Sequence, residues 1–228
     1  MNDPAPIERV YKNDGNDALL GLLGQECRHV LDVGCGSGDN ATLIRERLPG
    51  CEIDGITHSP SEAALAGKHM RSCWIFDVEG SIPDAVELQT YDAVIFSHVL
   101  EHFRNPAKVV AAYSGYVKSN GVILIAVPNI LSWRMRARFL RGDFTYAETG
   151  PLDNTHLRFF TFLTVDELLL GEAPALSLEQ KIADGSFPLW WARRGLLPKS
   201  TCSLIDAWAC RRWPNLFAEQ ILLKARKR

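Results

Sequence analysis

Apolar residues in this chain fall into short runs separated by polar, helix-like stretches, and that alternation predicts most of the architecture. The first run, Val30-Leu31-Asp32-Val33, leads into glycines at alternate positions, Gly34, Gly36 and Gly38, and reads as a strand breaking into a tight turn. Residues 39–48 have helical character. Further strands are predicted over 51–57, 72–76, 91–96 and 121–127, the last nearly all apolar, as expected when both sheet faces are covered. Ser59, an N-cap with Pro60 at the first helical position, opens a helix between two of these strands, and residues 105–117 form another. Strands alternating with helices in this way predict a parallel, doubly wound α/β sheet with its ligand at the carboxyl ends of the strands.

Ahead of this unit, residues 18–23 give a short helix capped by Asn16 or Asp17, placed either to lid a pocket or to cover a sheet edge. The strand period is lost after Pro128. Residues 129–160 form an insertion in which Arg134, Arg136, Arg138 and Arg141 alternate with Trp133, Met135, Phe139 and Leu140, and insertions this long are more often functional than idle. Helix returns over 164–170, and final strands are predicted over 176–183 and 218–225. Between these two strands, residues 186–217 make a Trp- and Arg-rich excursion with Trp190, Trp191, Trp208 and Trp213 beside Arg193, Arg194, Arg211 and Arg212. The tryptophans fit a pocket lining, a dimer surface or core packing, with core the default for side chains so large.

A hydrophobic content of 46% in 228 residues supports one sizeable core, so a single domain over 1–228 is expected. No apolar run approaches the roughly 20 residues needed to span a bilayer, and Met1-Asn2-Asp3-Pro4 does not begin a signal region, so a cytoplasmic protein is expected. Six cysteines contain no C-x-x-C pair and no His-linked spacing, so neither a zinc site nor a disulfide framework is predicted, and no metal is expected. A net charge of −2 argues against a nucleic-acid partner. The first hundred residues hold 7 Lys/Arg against 16 Asp/Glu and the rest 18 against 11, which fits either solvated faces or an anionic group met by the second half.

The glycine-rich turn carries the chemistry. A dinucleotide fingerprint needs G-x-G-x-x-G, but here the third glycine comes one residue early, which conflicts with an NAD-dependent oxidoreductase. An acid beside backbone amides suits a ligand carrying an ammonium and a carboxylate better than a pyrophosphate. The pattern D-x-G-C-G-x-G resembles the first motif of class I S-adenosylmethionine (SAM) dependent methyltransferases. Gly55-Ile56-Thr57-His58-Ser59-Pro60, Asp77 after the third strand, and Ser97-His98-Val99-Leu100-Glu101-His102 after the fourth agree with it. Val127-Pro128-Asn129, Arg141-Gly142-Asp143-Phe144-Thr145-Tyr146 and Leu152-Asp153-Asn154-Thr155-His156-Leu157-Arg158-Phe159-Phe160-Thr161 resemble bacterial methyltransferases of glycan and cell-surface polysaccharide biosynthesis. Proteins of the MetW type share part of the pattern.

The resemblance implies a Rossmann-like, seven-stranded sheet, mostly parallel with a reversed last strand, and SAM as cofactor with S-adenosyl-L-homocysteine as product. It implies that Asp32, Gly34, Cys35, Gly36 and Gly38 surround the methionine end of SAM, that Asp77 accepts from the adenine amino group beside the Val78 backbone, and that Ser97 and His98 lie beneath the sulfonium and ribose. Such enzymes usually end the second strand in an acid that binds both ribose hydroxyls, whereas this chain has Thr57. Thr57 and Glu62 together replace that acid, or Glu62 closes a capping box with Ser59. For the acceptor's proton the candidates are His98, His102 and His156, with Asp153 as orienter or alternative base, and His98 and His156 are taken as the catalytic pair. Arg134, Arg138 and Arg141 fit an anionic group on the acceptor or a solvated helix face. The leading function is O-methylation of a small molecule or a sugar/glycan intermediate. The alternative is a MetW-like SAM-binding accessory protein acting through a partner enzyme. A nucleic-acid methyltransferase is disfavoured because Ser97-His98-Val99-Leu100 stands where an N/D-P-P-Y/F motif belongs.

Overall fold

The structure, a computed structural model, describes residues 14–86, 88, 90–188 and 198–228. Seven strands form one sheet: β1 (His29–Val33), β2 (Glu52–Thr57), β3 (Ser72–Ile75), β4 (Tyr91–Ser97), β5 (Val117–Pro128), β6 (Leu176–Gly185) and β7 (Ala218–Lys227), in the order β3-β2-β1-β4-β5-β7-β6. β3, β2, β1, β4 and β5 pair in parallel; β7 runs antiparallel to both β5 and β6, so the last strand alone is reversed. The order reverses between β1 and β4, where an open α/β sheet opens a crevice at its carboxyl edge.

The period-2 rule explains why these strands are apolar throughout. Leu31, Val33, Val94, Phe96, Ile123 and Ile125 point into one core layer, and Val30, Ala93, Ile95, Val122 and Leu124 into the other. α4 (Pro106–Tyr113) and α6 (Val165–Leu170) cover the first layer through Val109, Val110, Tyr113, Val165 and Leu169. α1 (Asp17–Leu20), α2 (Asp39–Arg47) and α3 (Pro60–Ala66) cover the second through Leu19, Leu20, Ala41, Ile44 and Ala66. Asn16 caps α1, its side chain accepting from the Leu19 amide, and Ser59 caps α3 with Pro60 at the first position.

The predicted helix over 105–117 is shorter than its sequence suggested. It ends at Tyr113, tightens into one 3-10 turn over Ser114–Tyr116, and gives way at Val117 because that residue pairs with Tyr91. A bulge then carries the chain to the Ala93↔Val122 pair, with Asn120 at φ +64.

The insertion closes on itself. Asn129 and Phe160 form a bridge, and the Ile130 amide donates to the Phe160 carbonyl at 3.0 Å. Asn129, fully buried, donates through Nδ2 to the carbonyls of Asn215 and Ala218 and accepts from the Leu131 amide, which fixes the exit of β5. Within the insertion α5 (Trp133–Leu140) forms, and Trp133 packs against the small cluster of Ala209, Cys210 and Phe217. Those residues come from α7 (Lys199–Arg212) and α8 (Pro214–Phe217), into which part of the Trp-rich excursion folds. Trp208 and Trp213 do not enter the core: they meet edge to face at 5.2 Å and stay about half exposed. Trp190, Trp191, Arg193 and Arg194 lie outside the described residues. No helix among the described residues is long and apolar enough to cross a membrane.

Candidate active site

The turn after β1 is built by conformation. Gly34 and Gly38 have φ of +75 and +88, a region costly for residues with a Cβ. A Cβ at Gly34 would come 2.5 Å from the Val99 side chain, and one at Gly38 would come 2.9 Å from the Ala66 Cα, so the turn is wedged between the segment after β4 and α3. Gly36 also has positive φ, at +51. The N–H groups of Gly34 and Cys35 both donate to the Ile56 carbonyl, at 2.8 and 2.9 Å. They therefore offer a ligand close approach of backbone rather than donors. The Cys35 thiol, 3.8 Å from that of Cys73, is pushed well above its ordinary pKa by that contact and by burial, so it is a neutral group.

Asp32 is fully buried at the base of this turn. Burial raises its pKa, hydrogen bonds from Asn40 at 3.3 and 3.5 Å pull it down, and the Asp39 charge adds to the rise, leaving it at about 7. A carboxylate so poorly compensated fits a cationic partner. The residues present thus fit the ammonium end of SAM.

At the next strand end, Thr57 donates its hydroxyl to Glu62 at 2.7 Å, both side chains buried. The Glu62 amide in turn donates to the Ser59 hydroxyl at 3.2 Å. Glu62 therefore meets the α3 cap through its backbone amide and Thr57 through its carboxylate. Asp77, exposed just past β3, accepts from the Glu79 amide at 3.0 Å in a local turn, and Val78 behind it is buried. Ser97 ends β4 opposite Ala126.

His98 has φ +53, an unusual conformation for a residue with a side chain and one that turns the chain sharply at the end of β4. Its Nε2 donates to Gln220 Oε1 at 2.9 Å, and its Nδ1 lies 3.5 Å from Glu101 Oε1. Burial opposes the charged imidazole, but the Glu101 carboxylate and Gln220 outweigh it and hold the pKa above its ordinary value. Gln220 also accepts from Asn16 Nδ2 at 2.8 Å, and the Asn16 amide donates to Asn40 Oδ1 at 2.9 Å. A polar chain thus runs from Asp32 through Asn40, Asn16 and Gln220 to His98, drawing the segment before α1 across the carboxyl edge of the sheet.

On the other side of Glu101 stands His156, its Nε2 3.9 Å from the same Oε1 and its Nδ1 3.3 Å from the Pro151 carbonyl. The amides of Leu157 and Arg158 donate to the Glu101 carbonyl, latching the insertion onto the 3-10 turn Leu100–His102. His102 packs edge to face on His156 at 4.7 Å; burial and the neighbouring His156 lower its pKa, with Glu101 working against them. Asp153, which hydrogen-bonds the Thr155 amide and hydroxyl, keeps its carboxyl below the ordinary value although burial opposes this. The structure therefore brings His98 and His156 to one centre, Glu101, a residue absent from the predicted set. The spacing His98-x-x-Glu101-His102 carried the signal, since residues three apart share one face of a turn.

The arginines of the insertion are already engaged. Arg134 lies 3.3 Å from Glu219, Arg138 pairs with Asp143 at 2.9 Å, and Arg141 meets the Ala137 carbonyl. Their geometry braces the insertion rather than presenting a cluster to an anion.

A sheet in the order β3-β2-β1-β4-β5-β7-β6 with its last strand reversed, and a D-x-G-C-G-x-G turn at its switch point, define the class I methyltransferase fold. The chain belongs to the methyltransferase domain family, which it matches over residues 9–170. It is 32% identical over 127 residues to a ubiquinone biosynthesis O-methyltransferase of Photobacterium profundum, covering 54% of this chain and 52% of that protein. It is 28% identical over 132 residues to a trans-aconitate 2-methyltransferase of an Acidovorax species, covering 57% and 50%. The chain spans about half the length of these curated relatives. A SAM-dependent methyltransferase from Archaeoglobus fulgidus shares the fold with a TM-score of 0.59 at 18% identity, over 89% of this chain and 87% of that one.

Proposed function

We propose that this chain is a SAM-dependent O-methyltransferase acting on a hydroxyl of a small-molecule acceptor, with sugar or glycan intermediates as the substrate class. The observation that carries the reading is the convergence of His98 and His156 on the buried Glu101, one supplied by the end of β4 and the other by the insertion. Oxygen as the accepting atom is supported by the Photobacterium relative, an O-methyltransferase, and by a site rich in proton acceptors. The sugar class rests on the resemblance of segments 141–146 and 152–161.

When bound, SAM supplies a methyl group already activated on a sulfonium. Asp32 would pair with its ammonium, the Gly34 to Gly38 turn would hold its methionine end, Thr57 and Glu62 would take the ribose hydroxyls, and Asp77 with the Val78 backbone would take the adenine. Ser97 and His98 face the centre from the end of β4. An imidazole of the His98–His156 pair would take the proton of the acceptor's hydroxyl, leaving the oxygen's electron pair free for the methyl group. Glu101 between them stabilises the resulting imidazolium.

Methyl transfer from labelled SAM to a panel of sugars and nucleotide sugars tests the reading. His156→Ala is expected to lower kcat about 10²–10⁴-fold while leaving SAM affinity unchanged; wild-type turnover would remove His156 from the mechanism. Glu62→Ala removes both the ribose carboxylate and the acceptor of the Thr57 hydroxyl. Calorimetry should show SAM binding weakened about 10–100-fold, as for loss of a hydrogen bond to a charged group, and an unchanged Kd leaves Glu62 a capping residue only.

A MetW-like accessory role has one observation in its favour: α7 exposes Leu204 at 72% and Trp208 at 51%. A chain that binds SAM, methylates nothing in the panel and co-elutes with a partner enzyme in size exclusion would replace the catalytic reading with this one.

A further inference from the structure

We propose that Glu101, His102 and His156 form a site for a divalent transition-metal ion, whose open positions take the acceptor's hydroxyl oxygen. A carboxylate oxygen of Glu101 and one ring nitrogen of each histidine all lie within 4.8 Å of one another. Metal bonds of about 2.1 Å place neighbouring ligand atoms roughly 3.0–3.4 Å apart, so side-chain rotations that close the widest gap by about 1.5 Å let the three share an ion.

Two independent features point to a cation at this place. Glu101 is 1% exposed, and its Oε2 has no hydrogen-bond partner among the described residues, a costly state for a buried carboxylate oxygen. The second feature is the hydrogen bonding behind the histidines. The Pro151 carbonyl can only accept, so His156 Nδ1 carries the proton and its Nε2 lone pair faces Glu101 Oε1, acceptor against acceptor at 3.9 Å. The Thr155 hydroxyl gives its proton to Asp153 Oδ1 at 2.7 Å, so at 3.0 Å it accepts from His102 Nδ1, leaving Nε2 as the lone-pair nitrogen of that ring too. Metal-binding histidines are oriented in this way, the far ring nitrogen donating to a carbonyl or to a group backed by a carboxylate.

Two imidazoles and a carboxylate favour Mn²⁺, Fe²⁺, Co²⁺ or Zn²⁺ over Mg²⁺ or Ca²⁺, and three protein ligands leave positions open for a substrate oxygen. The ion would also clip the insertion to the turn after β4, adding to the Leu157 and Arg158 amide bonds. His156 is then an ion ligand, and His98, outside the ligand set, is the remaining imidazole for the acceptor's proton. The acceptor's place on the ion rests on the O-methyltransferase reading; the ion site does not.

The test is titration of chelator-treated, tag-free full chain with Co²⁺ alone, followed by visible absorption, with SAM binding measured on the same samples as a control for folding. Wild type should saturate at one Co²⁺ per chain. Thr155→Val should weaken binding about 10–100-fold, as loss of an orienting partner does, and Glu101→Gln or His156→Gln by at least as much. Absence of one-equivalent saturation in wild type, or wild-type Co²⁺ affinity in both ligand variants, overturns the site even if methyl transfer persists. A chain that binds Co²⁺ through these residues but methylates no hydroxyl overturns the acceptor's role and the O-methyltransferase reading, and leaves the ion site standing.

Discussion

Gly38→Ala should be among the most damaging single methyl additions in this chain. At φ +88 the new residue enters left-handed space, which costs about 1–2 kcal/mol. Its Cβ would also meet the Ala66 Cα at 2.9 Å, a backbone atom of α3 that no rotamer change can move, and such overpacking adds about 1–3 kcal/mol. A total of about 2–5 kcal/mol lowers Tm by roughly 4–20 °C in a chain of this size. Because Gly38 caps α2 and α3 carries Glu62, relief of the clash separates the two helices that flank the glycine turn. SAM affinity should therefore fall more than about tenfold, beyond what instability alone removes. Gly50→Ala is the control: φ is +92 there, but nothing lies within 4 Å of a Cβ, so only the conformational cost applies. Equal thermal shifts in the two variants would show that the contact with Ala66 contributes nothing.

SAM affinity should depend on pH through Asp32. Its folded-state pKa is raised from 3.8 to about 7, so between these values the folded chain holds a proton that the unfolded chain has lost. Stability therefore declines as pH rises through that window. Binding works in the opposite direction. An ammonium beside Asp32 favours the carboxylate, so the proton must leave on binding, and affinity should fall toward tenfold per pH unit as pH drops below about 7. Calorimetry between pH 5.5 and 7.5 in buffers of different ionisation enthalpy should show this slope together with proton release. Asp32→Asn should flatten the slope and weaken binding at pH 7.5 by about 10–100-fold, the range for a charge-assisted hydrogen bond. A wild-type affinity independent of pH would mean that Asp32 does not meet the ammonium.

The parallel strands and their helix caps were legible because each is a local pattern. Strands predicted over 51–57, 72–76 and 91–96 stand at Glu52–Thr57, Ser72–Ile75 and Tyr91–Ser97, and Ser59 with Pro60 opens α3 as its residue types require. Where the local pattern had competition it misled. The apolar period of α4 continues past Tyr113, yet Val117 is claimed by its pairing with Tyr91 across the sheet. The arginines of α5 left an anion site and a solvated face equally open in the sequence, and only folding brings Glu219 and Asp143 to Arg134 and Arg138. Trp208 and Trp213 find each other on the surface because Ala209, Cys210 and Phe217 fill the inner side of α7 and α8.

By itself the sequence determined the doubly wound sheet, its reversed last strand through family resemblance, and the D-x-G-C-G-x-G turn, because side-chain periods of 2 and 3.6 and the φ freedom of glycine act between near neighbours. Only the tertiary structure decided that His98, His102 and His156 gather around Glu101. Residues 101 and 156 are 55 positions apart, and the segment that joins them includes an insertion without strand period. Their meeting depends on the Asn129–Phe160 closure and on two amides bonding to the Glu101 carbonyl, contacts whose formation follows the packing of the whole sheet edge.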